Sequence, residues 1–362
     1  MAGVTLTTAS HRLPTSGPAA TLHRVSKQWP EGQGRVKLHV VTGKGGTGKS
    51  TVAAALALAL ASTGKDVLLC EVEGRQGIAQ LFDVAPLPYE ETRIATGLTT
   101  REGEPGGSVW ALHIDPESAL LEYLAMYYKL GRAGRALDRF GVIDFATTIA
   151  PGVRDVLLTG KVYEAAKQGR RGKHAREYDA IVLDAPPTGR ITHFLTTNSE
   201  LAGLAKVGPI KSQADTVMTL FRSPRTAVHL VTVLEEMPVQ ETADGISDLR
   251  AAGLPVGAIV VNLLRPRDLD ADDLAAARAG TIDRGRTADD LARSGVEVSE
   301  PLLDGLLGEA HDHAERRALE DDQRVVVERL GVATYGLPRL PAGVDLGGLY
   351  ELAEDLKSQG MA

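Results

Sequence analysis

A short glycine-rich segment carries the residues best suited to chemistry in this chain. From Gly43 to Thr51 the sequence reads Gly-Lys-Gly-Gly-Thr-Gly-Lys-Ser-Thr, which fits the P-loop pattern of glycine, four residues and then Gly-Lys-Ser. Glycines let a backbone bend so closely that its N–H groups can point at phosphate oxygens, and a helix starting there directs its positive end at the same anion. The segment therefore predicts a site for the phosphates of a nucleotide.

Individual residues of this loop have distinct expected roles. Lys49 supplies a positive charge between the β- and γ-phosphates, and the Ser50 hydroxyl is placed to bind the magnesium ion that accompanies ATP. A glycine turn without a ligand is the alternative, but a strand before the loop and a helix after it are the setting that the motif requires. The predicted nucleotide-binding set is Gly43, Lys44, Gly45, Gly46, Thr47, Gly48, Lys49, Ser50 and Thr51.

The elements around the loop follow from hydrophobic patterning. Val36–Val41 alternates and then turns apolar, as a buried strand does, and Ser50–Ser62 is dominated by alanine and leucine, as a buried helix is. Asp66–Val72 is the next apolar strand. Strand, loop, helix and strand in this order make a βαβ unit, which implies a parallel sheet.

Further short apolar runs alternate with helical patterns downstream. This alternation favours an α/β fold, with a doubly wound, mostly parallel sheet of the P-loop NTPase type. The predicted further strands are Val109–Ile114, Ala180–Leu183, Val228–Leu234, Ala258–Val261 and Val332–Leu337.

The chain of 362 residues is long enough for two domains, but one large domain with insertions fits as well. Residues 1–34 are rich in small and polar residues and are expected to form a disordered tail. Residues 35–362 are assigned to a single P-loop ATPase domain. Helical insertions are predicted at about 116–168 and 201–222, and 268–328 is expected to be a charged helical region.

A second acidic motif follows one of the buried strands. Ala180–Leu183 ends directly in Asp184, the arrangement expected of a Walker B aspartate that orients magnesium or its water shell. Capping of the next element is the structural alternative. Together with the loop, Asp184 predicts ATP and Mg²⁺ as the ligands of the site.

Two motifs resemble known ATPases. The loop from Gly43 to Thr51, with its additional Lys44, resembles the deviant Walker A loop of the MinD, ParA and nitrogenase iron-protein families. The segment Asp184-Ala-Pro-Pro-Thr-Gly-Arg190 resembles the Asp-Thr-Ala-Pro-Thr-Gly-His switch of the arsenite-pump ATPase family. That family includes the ATPase that delivers tail-anchored proteins to membranes. The resemblance extends over about Val36 to Leu356.

The resemblance implies ATP hydrolysis in a nucleotide-sandwich dimer, either a homodimer or a heterodimer with a related ATPase. In the deviant families the early lysine reaches the nucleotide of the facing subunit, which would be the role of Lys44; a solvated lysine is the alternative. Coupling to a protein client or a membrane partner is also implied. Further residues match other elements of the family. Thr188 and Gly189 match its γ-phosphate switch, and Glu241-Thr242 match its Glu-Thr element. Asn262 matches the asparagine that reads adenine, and Pro338 and Pro341 match the adenine loop.

The first switch departs from the family pattern. Where the family has Asp-Pro-Ala-His, with an aspartate that positions the attacking water, this chain has Glu73-Gly74-Arg75-Gln76. Glu73 keeps the carboxylate on a side chain one methylene longer, and an error of about 1 Å in such a position can cost about a hundredfold in rate. Two hypotheses remain open: an ATP-hydrolysing dimer, or a nucleotide-binding regulatory subunit with little turnover that pairs with an active ATPase chain.

Composition excludes several function classes. Cys70 is the one cysteine, so neither an internal disulfide nor a cysteine-based zinc or arsenite site can form, and the cytoplasm is the expected compartment. A net charge of −7 disfavours binding to nucleic acid. No apolar run reaches the roughly 20 residues of a transmembrane helix. The basic stretch Lys167–Arg176 is either a solvated loop or a contact for an anion, a membrane surface or a partner.

A Leu- and Tyr-rich segment within the first insertion has two possible roles. Leu120–Tyr128 contains Met126 among its apolar side chains, and flexible methionine-containing surfaces suit the binding of varied helices. Packing in the protein core is the alternative. The segment therefore leaves a client or partner groove open as a hypothesis.

Overall fold

The computed structural model describes residues 36–74, 76–99, 103, 105–128, 151–167, 176–204, 209–266 and 269–362. One eight-stranded sheet runs through these residues. Its strands are β1 (Leu38–Gly43), β2 (Val67–Glu71), β3 (Thr92–Thr96), β4 (Ser108–His113), β5 (Ala180–Asp184), β6 (Thr226–Thr232), β7 (Val256–Leu264) and β8 (Ala333–Pro338).

The strand order places the phosphate-loop strand in the middle of the sheet. The order is β3-β4-β2-β5-β1-β6-β7-β8, parallel throughout except for the antiparallel pair β3–β4 at one edge. Every residue of β1, β2, β5 and β6 is buried, because helices cover both faces of a parallel sheet. The carboxyl ends of the central strands consequently meet at one edge, where ligands bind in folds of this kind.

Helices occupy both faces of the sheet. One hydrophobic cluster joins the sheet to α1, α2 and α11, and a second joins its other face to α4, α5, α6 and α7. The helices are α1 (Lys49–Ala61), α2 (Gly77–Leu81), α3 (Pro116–Tyr128), α4 (Pro151–Ala166), α5 (Thr188–Leu204), α6 (Pro209–Phe221), α7 (Glu236–Ala251), α8 (Ala271–Ala279), α9 (Arg284–Arg293), α10 (Glu300–Arg329) and α11 (Leu346–Ser358).

The helix after the glycine loop is deeply embedded. Every residue from Val52 to Ala61 is buried, because this helix packs between the sheet and α11 and its alanines allow close approach. Helix α1 is therefore held by packing on the sheet and on α11. A helix held this firmly fixes the direction of its first turn, and with it the direction of the loop's N–H groups.

The predicted fold class is confirmed, with differences in individual elements. Strand β3 was not predicted, because its residues are half-exposed at the sheet edge and lack a continuous apolar run. Within the range predicted as the second helical insertion, 201–222, α5 extends from Thr188 to Leu204 and α6 covers Pro209–Phe221; that this range is an insertion stays a prediction. The charged region beyond residue 268 forms α8, α9 and the 30-residue α10.

Candidate active site

The glycine loop has the shape that its sequence predicts. Strand β1 ends at Gly43 and helix α1 begins at Lys49. Gly46 and Gly48 have φ angles of +90° and +85°, a left-handed conformation that glycine adopts without strain. A Cβ atom at Gly43 would lie only 2.3 Å from the carbonyl oxygen of Val231. The loop therefore depends on glycine at these three positions.

Ser50 and Asp184 meet at the carboxyl edge of the sheet. The Ser50 hydroxyl donates a hydrogen bond of 2.6 Å to Asp184 Oδ2, and the register of β1 with β5 pairs Val41 with Asp184. Burial raises the pKa of the Asp184 carboxyl to about 6, although the hydrogen bond from Ser50 and the charge of Lys49 act in the opposite direction. The aspartate thus contacts the first turn of α1, the helix that begins with Lys49 and Ser50.

The Ser50–Asp184 pair fits a divalent cation. Asp184 Oδ1 is buried and accepts no hydrogen bond from any residue that the structure describes, and an unsatisfied buried acceptor is costly. Hydroxyl and carboxylate oxygens are the donors that magnesium prefers, usually together with substrate phosphates. Within the described ranges, no group of three or more His, Cys, Asp and Glu side chains could hold a metal alone. A cation here would accordingly be shared with the phosphates.

Lys44 lies on the outer arm of the loop and has a partner in its own chain. Its Nζ is 2.7 Å from Glu241 Oε1 on α7, and the two side chains are 32% and 35% exposed. An exposed ion pair of this kind contributes about 0–1 kcal/mol. Lys44 can therefore leave Glu241 at little cost. The sequence singled out both residues but gave no sign of their contact.

The predicted switch lies at the start of α5. Thr188 is buried, and its Oγ1 has no hydrogen-bond partner among the described residues. A Cβ atom on Gly245 of α7 would lie 2.3 Å from Thr188 Cγ2, whereas one on Gly189 would meet no described atom within 4 Å. Arg190 Nη2 lies 3.8 Å from Asp155 Oδ1 on α4. The switch residues thus contact two helices of the surrounding layer.

The predicted adenine residues line one cleft next to the loop. Asn262 Nδ2 donates a hydrogen bond of 2.9 Å to the carbonyl oxygen of Thr47, which connects the carboxyl-terminal part of β7 to the loop. The cleft has a volume of about 470 Å³ and is lined by residues that include Gly48, Thr51, Asn262, Pro338 and Pro341. The structure therefore brings the phosphate loop and all three predicted base residues together.

A second acidic residue at this edge escaped the sequence prediction. Glu73, the predicted water-positioning residue, lies partly exposed just after β2. Glu71, the last residue of β2, is 2% exposed and pairs in register with Asp184. The charges of Glu71 and Glu73 both help to raise the pKa of Asp184. The sequence did contain a signal for Glu71, because β2 and β5 each consist of four apolar residues followed by an acidic residue.

Comparison with known proteins identifies the family. A family model described as anion-transporting ATPase matches residues 36–224. The chain belongs to the anion-transporting ATPase family. ATPase BagA of Mycobacterium tuberculosis is 51% identical over 333 residues, covering 92% of this chain and 96% of the relative. The arsenical pump-driving ATPase of Escherichia coli is 28% identical over 257 residues, covering 65% of this chain and 41% of the relative. ATPase GET3 of Kluyveromyces lactis is 25% identical over 267 residues, covering 64% of this chain and 73% of the relative.

The family assignment confirms the resemblance predicted from the loop and the switch. In an anion-transporting ATPase, binding and hydrolysis of ATP with a divalent metal is the family's chemistry. The matched residues contain Lys49, Ser50, Asp184 and Thr188. Most of the residues that line the cleft next to the loop lie beyond residue 224, outside the range that the family model matches.

Several predicted features lie outside what the structure describes. They are the tail at 1–34, Arg75, most of the basic stretch 167–176, and the side chains of 123–128 in the possible client groove; Leu120, at its start, is buried. Among the helices that are described, none is both long and apolar enough to cross a membrane.

Proposed function

We propose that this anion-transporting ATPase hydrolyses ATP with magnesium at the edge of the sheet where the glycine loop meets Asp184. We further propose that it acts as a nucleotide-sandwich dimer coupled to a protein client or membrane partner. The observation that carries the proposal is the 2.6 Å hydrogen bond from Ser50 to Asp184, whose other carboxylate oxygen is buried without a described partner. A serine directly after the loop lysine and a strand-end aspartate are the two protein groups that hold magnesium in P-loop enzymes.

The loop and its neighbours divide the binding of ATP among them. Lys49 and the backbone of Gly46, Gly48 and Thr51 hold the phosphates. Ser50 and Asp184 would hold magnesium, and the ion would supply positive charge to the phosphates. We assign the adenine ring to the cleft beside Gly48, whose lining by Asn262, Pro338 and Pro341 supports this assignment.

Two residues supply the groups that act during turnover. Glu73 positions the attacking water, and its closeness to Asp184 is supported by the effect of its charge on the pKa of that aspartate. Lys44 stabilises negative charge that develops on the transferred phosphoryl group of the facing subunit. Its exposure of 32% and its weakly held partner Glu241 support this role, because the side chain can reorient toward a second subunit.

Thr188 and Gly189 connect the site to the surrounding helices. We propose that they respond to the γ-phosphate, because the unpartnered hydroxyl of Thr188 lies at the start of a helix. Movement there would reach α7 through Gly245 and α4 through the Arg190–Asp155 contact. This is the route by which turnover would be coupled to a client, and the expected compartment is the cytoplasm.

A second candidate function follows from Glu73. A regulatory subunit with little turnover, paired with a related active ATPase, would keep the binding loop intact while its catalytic carboxylate is displaced. The longer glutamate side chain favours this alternative, because a shift of about 1 Å can cost about a hundredfold in rate.

Steady-state phosphate release distinguishes the two functions. The purified chain alone would be assayed with ATP and magnesium beside a Lys49→Ala control. Turnover well above the control is expected for the ATPase. Bound ATP without turnover would contradict hydrolysis by the isolated chain and support the regulatory subunit. Full activity of the Lys49→Ala protein would contradict the P-loop assignment itself.

A further inference from the structure

Glu71 has a defined set of contacts that the proposed chemistry leaves unused. Its Oε1 accepts a hydrogen bond of 2.7 Å from the backbone N–H of Gly77. Its Oε2 lies 3.2 Å from Nδ1 of His113 at the end of β4. The side chain is buried, with only 3% exposed. The carboxylate therefore links the ends of two strands to the first residue of α2.

These contacts fix one end of the loop that carries Glu73. The other fastening is Gln76, whose Nε2 donates to the Leu87 carbonyl at 3.0 Å and whose Oε1 accepts from the Leu87 N–H at 2.7 Å. Between Glu71 and Gln76 the chain contains Gly74 in a left-handed conformation, with φ of +71°. A segment with such a glycine has freedom of its own, so its fastened ends decide where Glu73 lies.

The Glu71–Gly77 contact lies directly beside the Ser50–Asp184 pair. A Cβ atom built on Gly77 would be 3.4 Å from Glu71 Oε1 and 3.9 Å from Ser50 Oγ, so the same backbone position faces both side chains. Glu71 and Asp184 are also paired across β2 and β5. The hydrogen bond from Gly77 to Glu71 thus places the end of the first-switch segment next to Ser50 and Asp184.

We propose that Glu71 is a positioning residue for hydrolysis, which holds the loop of Glu73 against the Ser50–Asp184 edge. The inference rests on the proposed ATPase function and adds a residue to it. Glu71 acts through the loop rather than as a ligand, because both of its carboxylate oxygens already face protein groups. This contact can compensate for the longer arm of Glu73 by fixing the backbone from which that arm extends.

A purely structural cap explains this residue less well. A local cap would be a serine, threonine, asparagine or aspartate directly before Gly77, whereas Glu71 reaches Gly77 from the end of β2, six residues earlier. The residue at the cap position, Gln76, makes no capping hydrogen bond and binds Leu87 instead. Glu71 therefore joins the start of α2 to the strand that ends beside Asp184. Glu71 is therefore better explained by what it positions than by the short helix it caps.

Three variants test the proposal: Glu71→Ala, Glu71→Gln and, as a matched control, Glu122→Ala on α3. Glu122 is also a carboxylate with two donors, Tyr89 and Lys161, and it lies on α3, outside the segment from Glu71 to Gln76. Turnover and the KM for ATP would be measured for each. Hydrogen exchange of the Gly77 amide would be followed in the nucleotide-free proteins, since exchange reports local opening without requiring activity.

Loss of positioning should affect turnover more than binding. For Glu71→Ala we expect kcat to fall about 10- to 100-fold, with the KM for ATP within about twofold of wild type and faster exchange at Gly77. Glu71→Gln should keep most of kcat, and exchange at the Gly77 amide should remain slow, because the glutamine amide oxygen still accepts a hydrogen bond from Gly77. Glu122→Ala should match wild type in kcat and in Gly77 exchange.

Two results would overturn the proposal. Wild-type kcat together with faster Gly77 exchange in Glu71→Ala would mean that the loop can open without harm to catalysis. Equal losses in the Gln and Ala variants would mean that the charge itself is used, not the hydrogen bond. If wild type shows no turnover, hydrolysis by this chain fails, but the Gly77 exchange comparison still decides whether Glu71 holds the loop.

Discussion

Among single residues, Asp184 combines a functional charge with an energetic cost. Burial raises the pKa of its carboxyl to about 6, so ionisation is less favourable in the folded chain than in the unfolded one. Stability from this group is therefore lost as the pH rises from about 4 toward 6, and at pH 7 its charge destabilises the nucleotide-free protein. A residue of this kind is retained for what its charge binds.

The substitution Asp184→Asn separates these two effects. The amide keeps an oxygen for the Ser50 hydroxyl but removes the charge, so we expect phosphate release to fall about 10- to 100-fold. The free energy of unfolding without nucleotide should rise by about 1–3 kcal/mol at pH 7. Phosphate assays and urea unfolding without magnesium would measure the two. Unchanged turnover would remove Asp184 from the cation site, and a loss of stability would reveal a compensating positive group.

Two buried histidines give the fold a pH dependence of its own. His39 Nδ1 and His229 Nε2 are 3.1 Å apart, between stacked rings in β1 and β6. Burial lowers the pKa of His39 to about 3, assisted by the charge of Lys65, and burial with the neighbouring His39 lowers that of His229. Because the unfolded chain protonates both near pH 6.5, it binds more protons, and stability falls as the pH drops below about 6.5.

Replacing one of these histidines should weaken that dependence. His39→Gln keeps a hydrogen-bonding side chain but cannot titrate, so the slope of unfolding free energy against pH should decrease by roughly 1 kcal/mol per pH unit below about pH 6. Urea unfolding of the wild type and the variant between about pH 7.5 and 5 measures the slope. Identical slopes would assign the acid sensitivity to carboxylates instead.

Among the elements, α7 is held close to the switch helix by Gly245. Its missing side chain leaves room for Thr188 Cγ2, which would be 2.3 Å from an added Cβ, and for Leu230 Cδ2 at 3.2 Å. Gly245→Ala must push α7 or Thr188 aside, so we expect a loss of about 1–3 kcal/mol in unfolding free energy. Phosphate release should decrease more than ATP affinity, since Thr188 is the residue that we propose to respond to the γ-phosphate.

A second glycine provides the control for that variant. Gly305 lies inside α10, and a Cβ atom there would meet nothing within 4 Å among the described residues. Gly305→Ala should therefore stabilise the protein by up to about 1 kcal/mol through helix propensity, with turnover unchanged. Thermal unfolding and phosphate release of both variants would be compared. Equal behaviour of the two would show that Gly245 has no special place in the switch.

The elements also show how far the sequence could predict this molecule. The central strands and α1 were predictable because continuous apolar runs report burial on both faces. Edge strand β3 lacks that signal, since half-exposed residues resemble a loop. Local motifs predicted the loop and Asp184. Contacts such as Lys44–Glu241 and Glu71–Gly77 depend instead on strand register and helix packing, which no short motif encodes.

For the whole molecule, the sheet gathers the proposed functional groups at one carboxyl edge. The cleft lined by Asn262, Pro338 and Pro341 lies next to the glycine loop there. The predicted switch contacts helices on the opposite face of the sheet from α1. Lys44 is the exception, because its Nζ pairs with Glu241 on α7. For the charge-stabilising role that we propose, Lys44 would have to leave Glu241 and reach either its own site or the site of a second subunit.

Mixing two inactive variants decides between these possibilities. Lys44→Ala keeps its own Asp184, and Asp184→Asn keeps its own Lys44, so each should hydrolyse little ATP alone. In a nucleotide-sandwich dimer, the mixed pair contains one complete site, where Lys44 of the partner subunit reaches ATP held by the Lys44→Ala chain. Random pairing makes about half of the dimers mixed, each with one working site of two, so phosphate release should recover to about a quarter of wild type. If Lys44 instead served its own site, neither chain would hold a complete set of residues, and mixing would restore nothing.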